Sequence, residues 1–226
     1  MKIINILILL TLLANALFSE NFNFSSDKTS ISLAKGSEQT SLSGHAQIIS
    51  DNITIRADYI ELFGDDFQYA RCRGNIIVID KNQGIQIETE KLFYDRKAEI
   101  MTINSYAEMI DQKNEIVVKG SYFKNRGKDN ITIIQIGVRI FKANENDSMI
   151  CRSEFAKYNR DNETLELAGS PIVIWKDDEY RASRITIDLD TDNINMTGEV
   201  SGTIKSDTEK SVDESVPIKH EEKIVE

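Results

Sequence analysis

Apolar and polar residues alternate with a period of two along most of this chain. Ile53, Ile55 and Ala57 alternate with Thr54, Arg56 and Asp58, and Ile85, Ile87 and Thr89 alternate with Gln86, Glu88 and Glu90. Strict alternation over this length predicts strands with one buried face. The phase then slips. The apolar parity moves to Ile60 and Leu62 after Ala57, and to Leu92 and Tyr94 after Thr89. A one-residue slip turns side chains to the other face unless a bulge or bend absorbs it. A kink is therefore expected at the small residue in each long strand. Isoleucine, valine, threonine and tyrosine are frequent, as strands prefer. No capped amphipathic stretch of about 12 residues or more argues for helix. Clusters such as Asp80 to Gly84 and Asn159 to Asn162 read as turns between strands.

Two markers repeat along the body. Small residues that open an apolar run stand at Gly44, Gly74, Ser105, Gly137, Gly169 and Gly198, at intervals of 30, 31, 32, 32 and 29 residues. Half a repeat later comes a small-polar pair followed by alternating apolar positions. Its copies begin at Ala57-Asp58, Thr89-Glu90, Gly120-Ser121, Ser153-Glu154 and Ala182-Ser183. Repeats of this size cannot bury a face alone and must stack. The expected fold is all-β and elongated, with about ten to twelve antiparallel strands in stacked repeats of ~30 residues. The inward parity selects Ile53, Ile55, Ile60, Leu62, Ile85, Ile87, Leu92, Tyr94, Ile116, Val118, Ile172, Ile174, Ile185 and Ile187. These residues either pack on one another as a closed core or wall an apolar groove.

Charge and termini narrow the picture. Lys and Arg number 27 against 37 Asp and Glu, a net charge of −10, which argues against a nucleic-acid partner. Lys2, the apolar run Ile3 to Leu13 and the small-x-small Ala14-Asn15-Ala16 read as a secretory leader. The expected division is a leader over 1–19, a β domain over 20–205 and an acidic disordered tail over 206–226. The tail has seven acids, three lysines and only isolated apolar residues. The rival reading of residues 1–19 is a retained membrane anchor. A cleaved leader places the product in the periplasm.

The residues also resemble a family. Leu167-Ala168-Gly169-Ser170-Pro171-Ile172-Val173-Ile174, then Arg181 to Asp188 and Met196-Thr197-Gly198-Glu199-Val200, resemble the OstA-like (LptA) family. Gly44 to Ile48 with Ile55 to Ile60 resemble an earlier repeat of it. The resemblance covers roughly 30 to 204 and departs in the middle, where Ser105 replaces the glycine and Gly120-Ser121 the small-acidic pair. It implies a twisted, slit β-jellyroll whose two sheets enclose an apolar groove for the acyl chains of lipopolysaccharide or a related envelope glycolipid. It also implies OstA-like partner proteins in the inner and outer membranes, and head-to-tail homo-oligomers. Transport from inner to outer membrane would need no catalytic residue and no cofactor. Other classes stay open: a structural or adhesin-like β-repeat with a closed core, or a membrane-anchored relative of the transport system.

Catalytic and metal readings are weak. A Ser-His-Asp triad would have to use His45, since His220 is in the tail. No His and Cys spacing suits zinc. Asp65-Asp66 and Asp177-Asp178 read as turn acids, and Asp188, Asp190 and Asp192 lack an EF-hand frame. No metal is expected. Cys72 and Cys151 occupy different parts of the repeat, which favours buried free thiols over a bridge.

Overall fold

A computed structural model describes residues 22–32, 34, 38–50, 52–143 and 148–205. The expected leader and acidic tail lie outside them. Eighteen strands are defined among the described residues, and all pair antiparallel in one network. Six are long: β3 (Gln39–Ser50), β4 (Ile53–Phe63), β5 (Tyr69–Asp80), β6 (Ile85–Asp95), β11 (Ile131–Ala143) and β12 (Ser148–Asn159). The other twelve form six pairs, each one pass of chain with a break in its middle. They are β1 (Phe22–Ser25) with β2 (Lys28–Ser32), β7 (Ile100–Ile103) with β8 (Ala107–Asp111), and β9 (Ile116–Gly120) with β10 (Tyr122–Arg126). Next come β13 (Thr164–Ala168) with β14 (Ile172–Trp175), β15 (Asp178–Arg181) with β16 (Arg184–Asp188), and β17 (Asn193–Thr197) with β18 (Ser201–Thr203). The chain thus makes twelve antiparallel passes.

Every pass crosses from one sheet to another at its midpoint. The first sheet holds β2, β7, β10, β13, β16 and β17, with the second half of β4, β6 and β12 and the first half of β3, β5 and β11. The second sheet holds β1, β8, β9, β14, β15 and β18 with the complementary halves. Side chains from both inner faces join one buried cluster. This is a bent, two-walled β-jellyroll.

The two sequence markers are the two sides of the bend. The glycine passes carry the extra residue, as register shifts between Ser43 and Ala46 in β3, Arg73 and Ile76 in β5, and Gln135 and Val138 in β11. The extra residue therefore sits on the glycine strand, and the kinks expected at Ala57 and Thr89 fall where β4 and β6 cross between the sheets opposite it. The phase slip itself is present in β4, where Ala57 and then Ile60 are buried. Backbone N–H groups of the small-polar strand donate to the glycine carbonyl across the bend: Asp27 to Gly44 at 2.8 Å, Glu154 to Gly169 at 3.2 Å, Ser183 to Gly198 at 2.6 Å. The sequence repeat of about 31 residues is two passes, one of each kind.

Gly74 illustrates why the opener is small. Its φ of +76° is a left-handed value that L side chains avoid, and a Cβ there would lie 2.4 Å from Asp58 Oδ2. Ser105 solves the same junction differently. Its hydroxyl pairs with Thr89 Oγ1 at 2.8 Å and accepts from the Lys91 N–H at 3.2 Å, so a side chain replaces the left-handed turn.

Candidate functional site

The inner faces of the two sheets meet in a continuous apolar interior. Bends midway along each pass turn the inward positions of both halves toward one another, so the interior runs the length of the stack. Ile55, Ile60, Leu62, Ile85, Ile87, Leu92, Tyr94, Ile116, Val118, Ile185 and Ile187 are buried in it, and Ile53 packs half-buried at its margin. Ile172 and Ile174 do not belong there. Val173 and Trp175 take the inward positions of β14, with Val173 opposite Cys151, while Ile172 and Ile174 stand half-exposed on the outer face. Ile172 to Trp175 are apolar at every position, so their alternation carried no parity. The Gly169-Ser170 bend, with both φ angles positive, sets it. The sequence reading also passed over inward residues such as Leu42, Met109, Phe123, Ile134 and Leu167. Met109 and Phe123 lie in the broken middle and Ile134 in a strand with apolar residues on both faces, whereas Leu42, between Ser41 and Ser43, and Leu167, next to Glu166, alternate with polar residues and were legible.

Interior side chains pack against one another and leave little surface open. Leu42, Ile60, Leu62, Met109, Ile134 and Leu167 are fully buried. A guest could enter only by parting the two walls. Outside the interior, a depression of about 360 Å³ opens over the bend between Ile76, Ile77 and Tyr106. Glu88, Glu90 and Glu108 rim it, which repels an anionic lipid.

The residues weighed for other chemistry have structural surroundings. His45 stands in the left-handed bulge beside Gly44, with its side chain 90% exposed, and its Nδ1 lies 2.8 Å from Asp27 Oδ2. That contact, first by hydrogen bonding and then by charge, holds the imidazole above its usual range. Asp188 Oδ1 accepts the N–H groups of Asp190 and Thr191 in a turn. Asp65 and Asp66 lie in a 3-10 turn, and Asp177 in a tight turn beside Asp178 of β15. Cys72 and Cys151 are buried free thiols in β5 and β12, and burial pushes both up to about 12. Among the described residues no cluster of three or more His, Cys, Asp or Glu could hold a metal ion.

A family model described as LptA/(LptD N-terminal domain) LPS transport protein matches residues 24–193, more than half of the chain. A solved structure of LptH, the LptA homologous periplasmic component of the conserved lipopolysaccharide transport device from Pseudomonas aeruginosa, is similar at 15% identity and a TM-score of 0.34. The match covers 68% of this chain and 95% of that one. No curated protein matches.

Proposed function

Because this chain belongs to the LptA/(LptD N-terminal domain) LPS transport protein family, we propose that it is a non-catalytic periplasmic carrier segment. It holds acyl chains of lipopolysaccharide, or of a related envelope glycolipid, between its two sheets and passes them from inner to outer membrane. The chain acts as a β domain over 20–205 behind a leader over 1–19 and ahead of an acidic tail over 206–226. No cofactor or metal enters the reading.

One observation carries it. The two sheets are joined by backbone along one side, at the bends, while among the described residues their turn-bearing margins are free of ladder pairing to each other. The walls can therefore part without breaking a strand ladder. An acyl chain then replaces side-chain contacts between the walls. Each methylene removed from water gives about 0.8 kcal/mol, so a ~12-carbon chain gains on the order of 10 kcal/mol before immobilisation is subtracted. The site residues in this reading are the eleven buried positions above, with Ile53 at the rim.

The ends support assembly. Among the described residues β1 and β2 pair only with β3, while β17 and β18 pair only with β16 and β15. Ile31 in β2 is 54% exposed, and Ile204 just after β18 is 76% exposed. Open edges of this kind add strands from another chain. The partners are further copies, head to tail, or OstA-like proteins of the two membranes.

A closed structural β-repeat is the second reading, favoured by the tight interior packing. Photo-crosslinking separates the two. A photoreactive residue at Ile55 or Met109 should capture envelope glycolipid in cells, identified by mass spectrometry, while one at the outward Ile174 should not. Equal capture at all three sites, or none at Ile55 and Met109, would overturn the carrier reading.

A further inference from the structure

The free margins of the two sheets are not bare. The margin of the second sheet carries the turns 81–84 and 112–115, and that of the first sheet carries the turns 127–130 and 160–163. Between them lies a polar cluster that the transport reading leaves unused. Asp111, at the end of β8 in the second sheet, is fully buried. Arg160, just past β12 in the first sheet, reaches across. Its Nε donates to Asp111 Oδ2 at 2.7 Å and a terminal nitrogen donates to Asp111 Oδ1 at 3.3 Å.

The same guanidinium donates to Gln83 Oε1 at 3.1 Å and to the Gln83 carbonyl at 2.7 Å. Tyr158 of the first sheet donates its hydroxyl to Asp111 Oδ2 at 3.1 Å and accepts from Asn114 Nδ2 of the second at 2.8 Å. Burial, then the charge of Asp111, push the Tyr158 phenol well above its usual range, so it stays a donor. Gln83 Nε2 donates to Asn130 Oδ1 at 2.7 Å, again between the sheets. Further along, Lys142 Nζ donates to the Leu189 carbonyl at 2.9 Å across the same gap.

We propose that the Asp111–Arg160 pair and its partners Tyr158, Gln83 and Asn130 form a clasp that opens and recloses the slit between the sheets, and so gates entry of acyl chains into the interior. The proposal rests on the carrier reading above. The chemistry distinguishes a gate from a fixed seal. A buried ion pair with its hydrogen bonds satisfied holds two walls in one register but adds little net stability over an apolar contact. When the walls part, water solvates the carboxylate and the guanidinium, whereas an apolar seal would open onto exposed hydrocarbon. Six side chains drawn from four separate segments converge on this margin, and Tyr158 continues directly into the interior beside Leu165. Movement of the clasp thus reaches the apolar walls without a relay.

The test measures uptake of pyrene-labelled lauric acid by stopped-flow fluorescence, together with amide hydrogen exchange. Arg160→Gln leaves Asp111 without its cation and should speed uptake about ten-fold by raising the open population. Gln83→Ala combined with Asn130→Gly removes the outer bridge and keeps the left-handed backbone at Asn130. It should speed uptake about two- to three-fold and covers the case in which Arg160→Gln does not fold. In both variants exchange should rise at 81–84, 112–115 and 127–130 and stay unchanged at Asp58 and Ile60 on the bend. Uptake at the wild-type rate in folded variants overturns the clasp and leaves the carrier reading standing. A uniform rise in exchange also overturns it, because the variants then merely loosen the fold. No probe bound by wild type or variants overturns the carrier reading and the gate with it.

Discussion

The bend and the clasp join the same two sheets by different means. Along the bend, junctions are covalent, and the register shifts and N–H to carbonyl bonds recur pass after pass with only local sequence requirements. Along the clasp, the sheets are held by side chains from residues up to 77 apart in sequence. The bend is repetitive, and the polar cluster at the opposite margin is singular. The difference predicts that substitutions at the two margins fail in different ways.

The largest effect is expected at the clasp. Arg160→Met strands a fully buried carboxylate and should lower stability by about 3–5 kcal/mol in urea denaturation. Adding Asp111→Leu to Arg160→Met should restore most of that loss, because the pair is weak against an apolar contact. No recovery in the double variant would mean that the cluster is structural glue. Next comes the bend. Gly74→Ala combines a left-handed φ with a Cβ that meets Asp58, and should lose about 2–3 kcal/mol. Gly137→Ala is the sharper control. Its φ is +66° but no atom lies within 4 Å of the added Cβ, so only the backbone term of about 1 kcal/mol remains. Equal losses at both glycines would remove the steric part of the argument.

Smaller effects follow. Buried Cys72 and Cys151, with thiols pushed up to about 12, should stay unreactive toward a disulfide reagent at neutral pH and react promptly once urea unfolds the chain. Prompt labelling of the native protein would place the interior open more often than the packed walls imply. The slightest effect is at His45. Its folded value is raised, so its contribution is full below the unfolded value and fades as pH rises through the folded one. An NMR titration should find His45 above its ordinary range, and Asp27→Asn should bring it back. A titration that Asp27→Asn leaves unmoved would mean the contact does not persist in solution.

Legibility in the sequence tracks locality. The glycine and small-polar markers sit about half a repeat apart and read as two periodic signals. What they could not reveal is that the glycine strand faces the small-polar strand of the neighbouring pass, so alternation located the bends at Ala57 and Thr89 but not which strand carries the extra residue. Eleven of the fourteen positions read as inward are buried; polar residues alternate with Ile55, Ile60, Leu62, Ile85, Ile87, Ile185 and Ile187, while Leu92 and Tyr94 flank Phe93 and Ile116 and Val118 flank Val117. Ile172 and Ile174 were misassigned because Ile172 to Trp175 are apolar on both faces. The broken middle, where Ser105 uses a hydroxyl in place of a left-handed glycine, hid Met109 and Phe123.

By itself the sequence determined that the body of the chain is β, that it repeats, and which parity most of its strands bury. Those properties depend on neighbours two residues away or one pass away, which alternation and spacing encode directly. Only the tertiary structure decided that the walls meet in a closed interior and that Asp111 finds Arg160. Nothing in either residue's local surroundings distinguishes it from the chain's many other acids and bases. Their pairing depends on how the bends swing distant turns together, and that geometry is set by the accumulated twist of all twelve passes.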